Sequence, residues 1–247
     1  MTTVLLNSLI GVVVLIALTT AVLWFYGAPK HWAPALAVLR GILQLAVVSI
    51  ILTGVITNGW WVALALLVMF CVACFTAIRR IGWTRQHALM MLSAMGAGIA
   101  LTLTIVFVTG TIEFSARYVL AIGGIVIGNA MTIATLAGRR FVELVRDRWD
   151  QVEAWMSLGA TPRQSTHELA RDAVYAALIP STDQTKTTGL VTLPGAFVGA
   201  IFGGVSPLEA GRFQIVVLAS IMAAGAITAV IVALWMSPVR VKPAALV

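Results

Sequence analysis

The sequence predicts an all-α membrane protein of about seven transmembrane helices with a protruding cytoplasmic helical hairpin. Three observations lead there. Hydrophobic residues make up 60% of the 247-residue chain and charged residues only 10%, where a soluble domain carries about 25% charged residues. The apolar residues fall into runs long enough to cross a bilayer, which takes roughly 20 residues. The basic residues gather in alternate loops between those runs, as the positive-inside rule requires. So few charges do not cover a water-facing surface. Lipid covers most of it, and residues 1–247 read as a single transmembrane domain.

The apolar runs follow in order. The first, 4–26, has no basic residue ahead of it and is too long for a signal-peptide core, so it is read as a retained span. GAPKHWAP separates it from a second span at 35–57, and TNG leads to a third at 60–78. The basic loop RRIGWTRQH precedes the fourth span, 88–110, and the short turn TIEFSAR precedes the fifth, 118–137. A polar stretch at 138–172 comes next, then an irregular sixth segment ending near 204. After GVSPLEAG the seventh span covers 213–235, and SPVRVKPAALV is the tail.

Loop charge sets the orientation. One set of loops holds twelve basic residues: Lys30, Arg79, Arg80, Arg85, Arg139, Arg140, Arg146, Arg148, Arg163, Arg171, Arg240 and Lys242. The alternate set holds Arg117 and Arg212. The rule places the first set in the cytoplasm, the N-terminus outside and the C-terminus inside. An odd number of spans follows, in a multi-pass protein of the plasma (inner) membrane. The net charge of +7 suits nucleic acid, but its distribution between apolar runs excludes that partner and makes lipid the partner instead.

The hairpin is expected at about 139–173. Phe141, Val145, Trp149, Val152 and Met156 recur every three or four residues, giving one apolar stripe along a helix at 139–158. Arg139 with Glu143 and Arg146 with Asp150 are spaced for i,i+4 pairing. Gly159 ends this helix where a left-handed residue is needed. Thr161 is placed to N-cap a second helix with Pro162 at its first position. A rigid hairpin of this kind suits a subunit that receives force from a soluble partner, although any capped helical hairpin has the same spacing.

Several residues inside or beside the spans are candidates for a pathway or for packing. Arg40 and Gln44 share a helix face in span two; a buried intramembrane arginine faces a cavity or a partner, and one near a span end snorkels to the surface. The segment PSTDQTKTTG at 180–189 is polar between apolar flanks. Pro180 is expected to break the helix, with Asp183 and Lys186 paired on one turn. The segment is either a break within span six lining a pathway, or a cytoplasmic loop before a short span at 189–204. Gly195, Gly199 and Gly203 form two overlapping G-x-x-x-G units, and Gly124 with Gly128 another; such spacing lets helices approach closely, within one subunit or between two. His31, His87 and His167 all sit in loops and no acidic cluster falls in a clear span, so any metal site is unknown. Asn129 and Met131 offer weak oxygen and sulfur contacts, or simply pack. Cys71 and Cys74, spaced C-x-x-C, are read as small residues of a buried helix rather than a redox or metal pair.

Two resemblances add to this. Glu153-Ala154 followed by Gly159 resembles the E-A-A-x-x-x-G loop of ABC-importer permeases, with Trp155 in place of the second alanine; that loop docks into a cleft of the ATPase. A closer likeness covers most of the chain. GNAMT (128–132), SLGATPRQ (157–164), ALIPSTDQTKTTGLVTLPG (177–195) and GAIFGGVSPLEA (199–210), with Arg40 and Gln44-Leu45, are similar to the Fet-type (FetB-like) iron-export ABC transporter permeases, relatives of the plant aluminium-sensitivity membrane proteins. The likeness implies a permease that dimerises with itself and pairs with a soluble ABC ATPase through Glu153, Ala154, Leu158, Gly159, Ala160, Thr161, Pro162 and Arg163. It implies export of iron or a related metal ion, and no catalytic residue in this chain.

The residues agree that any motor is elsewhere. No G-x-x-x-x-G-K-[ST] phosphate loop occurs, nor any Gly-Lys dipeptide, so the chain is expected to bind no cofactor and ATP-Mg to belong to the partner. Other readings are the same machinery carrying a small polar solute such as a nucleotide sugar, or an ion-gradient transporter. The latter calls for paired inverted repeats and intramembrane acids, which are not evident. A membrane enzyme would carry a motif such as H-E-x-x-H or G-x-S-x-G, and neither is present.

Overall fold

In lipid a backbone satisfies its own N–H and C=O groups only as a helix or a closed barrel, and a chain this apolar takes the first course. The computed structural model describes residues 2–55 and 59–244. Its elements are α1 (Thr2–Phe25), α2 (Ala33–Val55), α3 (Gly59–Ile81), α4 (Arg85–Val108), α5 (Ala116–Asp147), α6 (Trp149–Ser157), α7 (Pro162–Ser165), α8 (His167–Thr187), α9 (Gly195–Phe202) and α10 (Pro207–Met236). Among the described residues there is no strand, only an isolated bridge between Thr188 and Thr192. Residues 57 and 58 of the expected TNG turn, and the last three of the tail, lie outside the described residues.

The chain divides into two compact units, Met1–Thr57 and Asn58–Val247. In the first, α1 and α2 pack on one another. In the second, α5 and α10 form the central pair; α4 and α8 each pack against both, and α3 packs on α4 and α5. Small residues permit the close approaches. A Cβ added to Gly98 of α4 would lie 2.6 Å from Thr228 Oγ1 and 2.7 Å from the Ala224 carbonyl of α10. There Thr228, fully buried, donates to the Ala94 carbonyl at 3.3 Å. Gly225 of α10 admits Ile133 of α5, and Gly138 of α5 admits Ile81 of α3.

Among the described residues, five helices are long and apolar enough to cross a membrane: Leu6–Phe25, Gly59–Ile81, Arg85–Val108, Ala116–Asp147 and Pro207–Met236. About seven are expected from sequence. The second expected span forms α2, whose described apolar part is the shorter Ala33–Ser49. The sixth is a helix, a break and a second helix: α8, residues 188–194, and α9.

Three further expectations are corrected. The fifth span and the first arm of the hairpin are one 32-residue rod, α5, interrupted only at Arg148 before α6. The buried stripe of the span, Ile122, Val126, Ala130 and Ile133, continues unbroken into Phe141, Leu144 and Val145, and Gly138 between them is held by Ile81 rather than acting as a stop. The pairs formed are Arg140 with Glu143 at 3.4 Å and Arg148 with Asp172 at 3.8 Å, not the two anticipated. Pro180 does not end its helix either; α8 runs through it to Thr187. The polar residues that follow satisfy themselves within the helix. Thr185, Thr187 and Thr188 donate to the carbonyls of Ser181, Asp183 and Gln184 at 2.8, 2.9 and 2.7 Å, a back-bonding that short hydroxyl side chains allow.

Candidate functional site

The Arg-rich end of the second unit carries α6 and α7. Gly159 has φ +92°, the left-handed conformation that ends α6. Ala160 N–H donates to the Trp155 carbonyl and Gly159 N–H to that of Met156, both at 3.0 Å, closing a Schellman cap. Thr161 caps α7 reciprocally: its backbone N–H donates to Gln164 Oε1 at 2.9 Å and the Gln164 N–H to Thr161 Oγ1 at 3.4 Å, with Pro162 at the first turn. Both ends of the turn are thus fixed. Leu158 is 82% exposed and Trp155 59%. Beside them lies a cleft of about 500 Å³ lined by Gln151, Gln164, His167 and Glu168 as well as Trp155 and Leu158. Glu153 and Ala154 are exposed on α6.

The hairpin is tied to the last long helix. Thr166, fully buried between α7 and α8, donates its hydroxyl to the Ser237 carbonyl at 2.6 Å. Ser237 is the C-cap of α10. Arg163 Nη2 donates to the Leu234 carbonyl at 3.3 Å, and so reaches carbonyls a helix end leaves unsatisfied. Sequence spacing does not reveal this tie, because its two sides are 71 residues apart.

From there α8 climbs between α5 and α10. Leu178 meets Gly225 and Ile133 near the middle of both, and Thr182 Oγ1 lies 4.0 Å from Met222 Sδ. Since α8 runs antiparallel to both, Asp183, five residues past Leu178 and about 7.5 Å higher, is level with Gly128 of α5. The polar segment is therefore a helix at mid-depth of the long spans, and not a loop at the Arg-rich end. Ala170, Ala173 and Ala177 face the core. Tyr175, Ile179, Asp183 and Lys186 form the opposite, exposed stripe. Lys186 Nζ stands 3.4 Å from Asp183 Oδ1, with side chains 70% and 61% exposed.

The break that follows is a compact knot. The N–H groups of Leu190, Val191 and Thr192 all donate to the Thr187 carbonyl, at 3.2, 2.9 and 3.2 Å, and Gly189, at φ +85°, donates to the Thr192 carbonyl at 2.8 Å. Helix α9 then runs beside the start of α10, where Phe197 meets Gly211.

The other candidates are scattered. Arg40 and Gln44 are exposed on α2 of the first unit. Asn129 Nδ2 donates to the Ile125 carbonyl of its own helix at 2.9 Å, and Met131 packs against the core. Gly124 receives Met69 of α3, whereas Gly128, Gly195 and Gly199 have open space where a side chain would stand and Gly203 meets only its own turn. Gly98, Gly123, Gly138 and Gly225 make the closest helix contacts, and no G-x-x-x-G spacing marks them. Cys74 is buried against Met95, and Cys71 is exposed. Among the described residues no three His, Cys, Asp or Glu side chains come together.

The profile of the family described as "Uncharacterised protein family (UPF0014)" matches residues 6–239, nearly the whole chain. The chain belongs to the UPF0014 family. It is 36% identical over 197 residues to "UPF0014 membrane protein STAR2" of Oryza sativa subsp. japonica, covering 79% of this chain and 69% of that protein. "Protein ALUMINUM SENSITIVE 3" of Arabidopsis thaliana is 34% identical over 196 residues, 78% of this chain and 72% of the relative. "Probable iron export permease protein FetB" of Escherichia coli (strain K12) is 33% identical over 194 residues, 78% and 75% respectively. No solved structure matches. The resemblance read from the motifs is thus a UPF0014 membership, and the UPF0014 chain is a multi-pass membrane protein.

Proposed function

We propose that this UPF0014 chain is the membrane-spanning permease subunit of an ATP-driven ABC exporter, with iron or a related metal ion as cargo. ATP-Mg is bound and hydrolysed on a separate soluble subunit. The observation that carries the reading is the doubly capped turn between α6 and α7, with Trp155 and Leu158 exposed beside a cleft and Thr166 tied to the end of α10. Further support is the printed name of the FetB relative, which describes a permease, and a sequence with no phosphate loop. The Arg-rich end faces the cytoplasm under the positive-inside rule, with the C-terminus there and the N-terminus outside.

The chain's part in the cycle follows from its connections. The ATPase seats on the α6–α7 turn through Trp155 and Leu158. A displacement of that turn passes through Thr166 and Arg163 to the last carbonyls of α10, and through α7 directly into α8. Rigid caps matter because a turn that bent under load would absorb the displacement. The test is co-purification of an ABC-type ATPase with the full-length chain from its own membranes. The proposal expects that subunit to be retained and to be lost from Gly159→Trp; retention of the same subunit by a chain lacking residues 149–165 contradicts it.

A further inference from the structure

We infer that the cleft at the Arg-rich ends of α3, α4 and α10 is a binding site for an anionic phospholipid, with its phosphate held by the basic residues of the rim and the upper part of an acyl chain laid in the cleft. The inference rests on α3, α4, α5 and α10 standing as membrane spans and is independent of the permease reading.

The cleft forms where helices end. Gly138 of α5 meets Ile81 of α3, and a Cβ there would lie 3.5 Å from Met236 Sδ of α10. Beyond that crossing α5 continues while α3 and α10 stop, and a cleft of about 360 Å³ opens between them. Ligand clefts of roughly 300–1,000 Å³ are the usual size. The walls are mainly apolar, with Ile81, Met90, Phe141, Val142 and Trp235 on the helices and the tail laid across as far as Ala244. The level is the membrane boundary, because α3 and α10 end there and α4 begins there. Trp83 and Trp235 are exposed, and tryptophan is a residue that settles at this level. An apolar hollow at headgroup level suits a molecule that is apolar at one end and charged at the other.

The rim decides the sign of that charge. Arg79, Arg80 and Arg85 flank the turn between α3 and α4, beside the cleft residues Ile81, Gln86 and His87. Arg240 and Lys242 alternate with the tail residues Val239, Val241 and Pro243 that line it. All five cations are exposed, and none forms an ion pair among the described residues. The segments 79–87 and 237–244 hold no Asp or Glu, so the countercharge comes from outside the chain. The turn is fixed in readiness: the His87 backbone N–H donates to Thr84 Oγ1 at 3.0 Å, and its ring Nδ1 to the Gly82 carbonyl at 2.8 Å. A soluble phosphate matches the charge but leaves the apolar walls uncovered. A phospholipid matches both, and basic pockets between spans are where acidic headgroups bind. The site bears on the hairpin as well. Trp235 and Met236 lie between Leu234 and Ser237, whose carbonyls hold Arg163 and Thr166, so a seated lipid braces that end of α10.

The test titrates the full-length chain in detergent with dioleoyl phosphatidylglycerol and, separately, with zwitterionic dioleoyl phosphatidylcholine and with inorganic phosphate. Bound lipid is read by native mass spectrometry, and the unfolding temperature is followed alongside. Phosphatidylglycerol is expected to be retained and to raise the unfolding temperature; the other two are not. Each rim cation removed is expected to weaken retention about fivefold, so Arg85→Gln with Lys242→Gln weakens it about 25-fold. Both side chains are exposed, and an unchanged unfolding temperature before lipid is added shows that the variant folds. Arg117→Gln, which removes an exposed cation at the opposite end of the spans, is expected to bind like the parent chain. No retention of phosphatidylglycerol, equal retention of phosphatidylcholine, or equal weakening by Arg117→Gln overturns the inference. An equal stability gain from inorganic phosphate assigns the rim to a soluble anion and overturns it too. Loss of the lipid when a co-purified ATPase is seated assigns the cleft to that protein, with the same consequence. Lipid retained as expected by a chain that recruits no ATPase counts against the permease reading alone.

Discussion

Thr166 and Ser237 join the hairpin to the last long helix through one buried hydrogen bond of 2.6 Å, Thr166 Oγ1 to the Ser237 carbonyl. The same hydroxyl lies 3.1 Å from the Pro162 carbonyl, so the start of α7 and the end of α10 share one donor. Replacing it by Thr166→Val keeps the shape and removes one hydrogen bond; the Ser237 carbonyl still accepts from the Val239 N–H at 2.8 Å and the Pro162 carbonyl from Ser165 Oγ at 3.0 Å, so the cost is about 0.5–1.5 kcal/mol. Thermal unfolding in detergent is expected to shift down accordingly. ATPase co-purification is expected to persist while ATP-driven transport falls, because the docking surface is intact and the link behind it is not. Equal transport by Thr166→Val removes the link from the account.

The turn itself is predicted to tolerate little. Thr161→Ala removes the α7 cap and costs about 1 kcal/mol. At Gly159, φ +92° charges any other residue about 1–2 kcal/mol, although a Cβ there meets no neighbour. Gly159→Ala is therefore expected to fold and insert, with weaker ATPase binding from a misaligned turn. Titrating purified ATPase against each variant reads this directly.

At the α4–α10 crossing, Gly98→Ala places a methyl group 2.6 Å from Thr228 Oγ1 and 2.7 Å from the Ala224 carbonyl. One of these is backbone, so the helices must separate, at about 1–3 kcal/mol. Detergent stability of Gly98→Ala is expected to fall well below that of Gly128→Ala, whose Cβ position is open. Equal stability of the two contradicts this packing.

The Asp183–Lys186 pair is too exposed to matter much for folding, since exposed ion pairs contribute about 0–1 kcal/mol. Lys186→Ala is expected to accumulate and unfold like the parent chain while ATP-driven transport drops severalfold. Matched losses of stability and transport would give the pair a structural role instead.

Much of this was legible in the residues. The helical class and the turn chemistry at Gly159, Thr161 and Pro162 follow from hydropathy and from local capping rules that act over a few residues. What escaped is long-range. The stripe through Phe141 and Val145 is the same with or without a boundary at Gly138, and only Ile81, far away in sequence, shows that the helix continues. Pro180 reads as a breaker by its local chemistry, but α8 continues through it to Thr187, with Leu178 just before it packed on Gly225 of α10. The tight glycines, Gly98 and Gly225, are set by what faces them, and sequence spacing holds no record of that. The Thr166–Ser237 tie spans 71 residues and has no local signature.

The central claim is that this UPF0014 chain moves its cargo only when a soluble ATPase acts on the α6–α7 turn. Inside-out vesicles holding the chain and its co-purified ATPase, loaded externally with ferrous iron, measure it most directly. The account predicts iron accumulation on adding ATP-Mg, none without the ATPase, and none with Gly159→Trp. Accumulation that needs no ATPase, or that follows an imposed proton gradient alone, contradicts it.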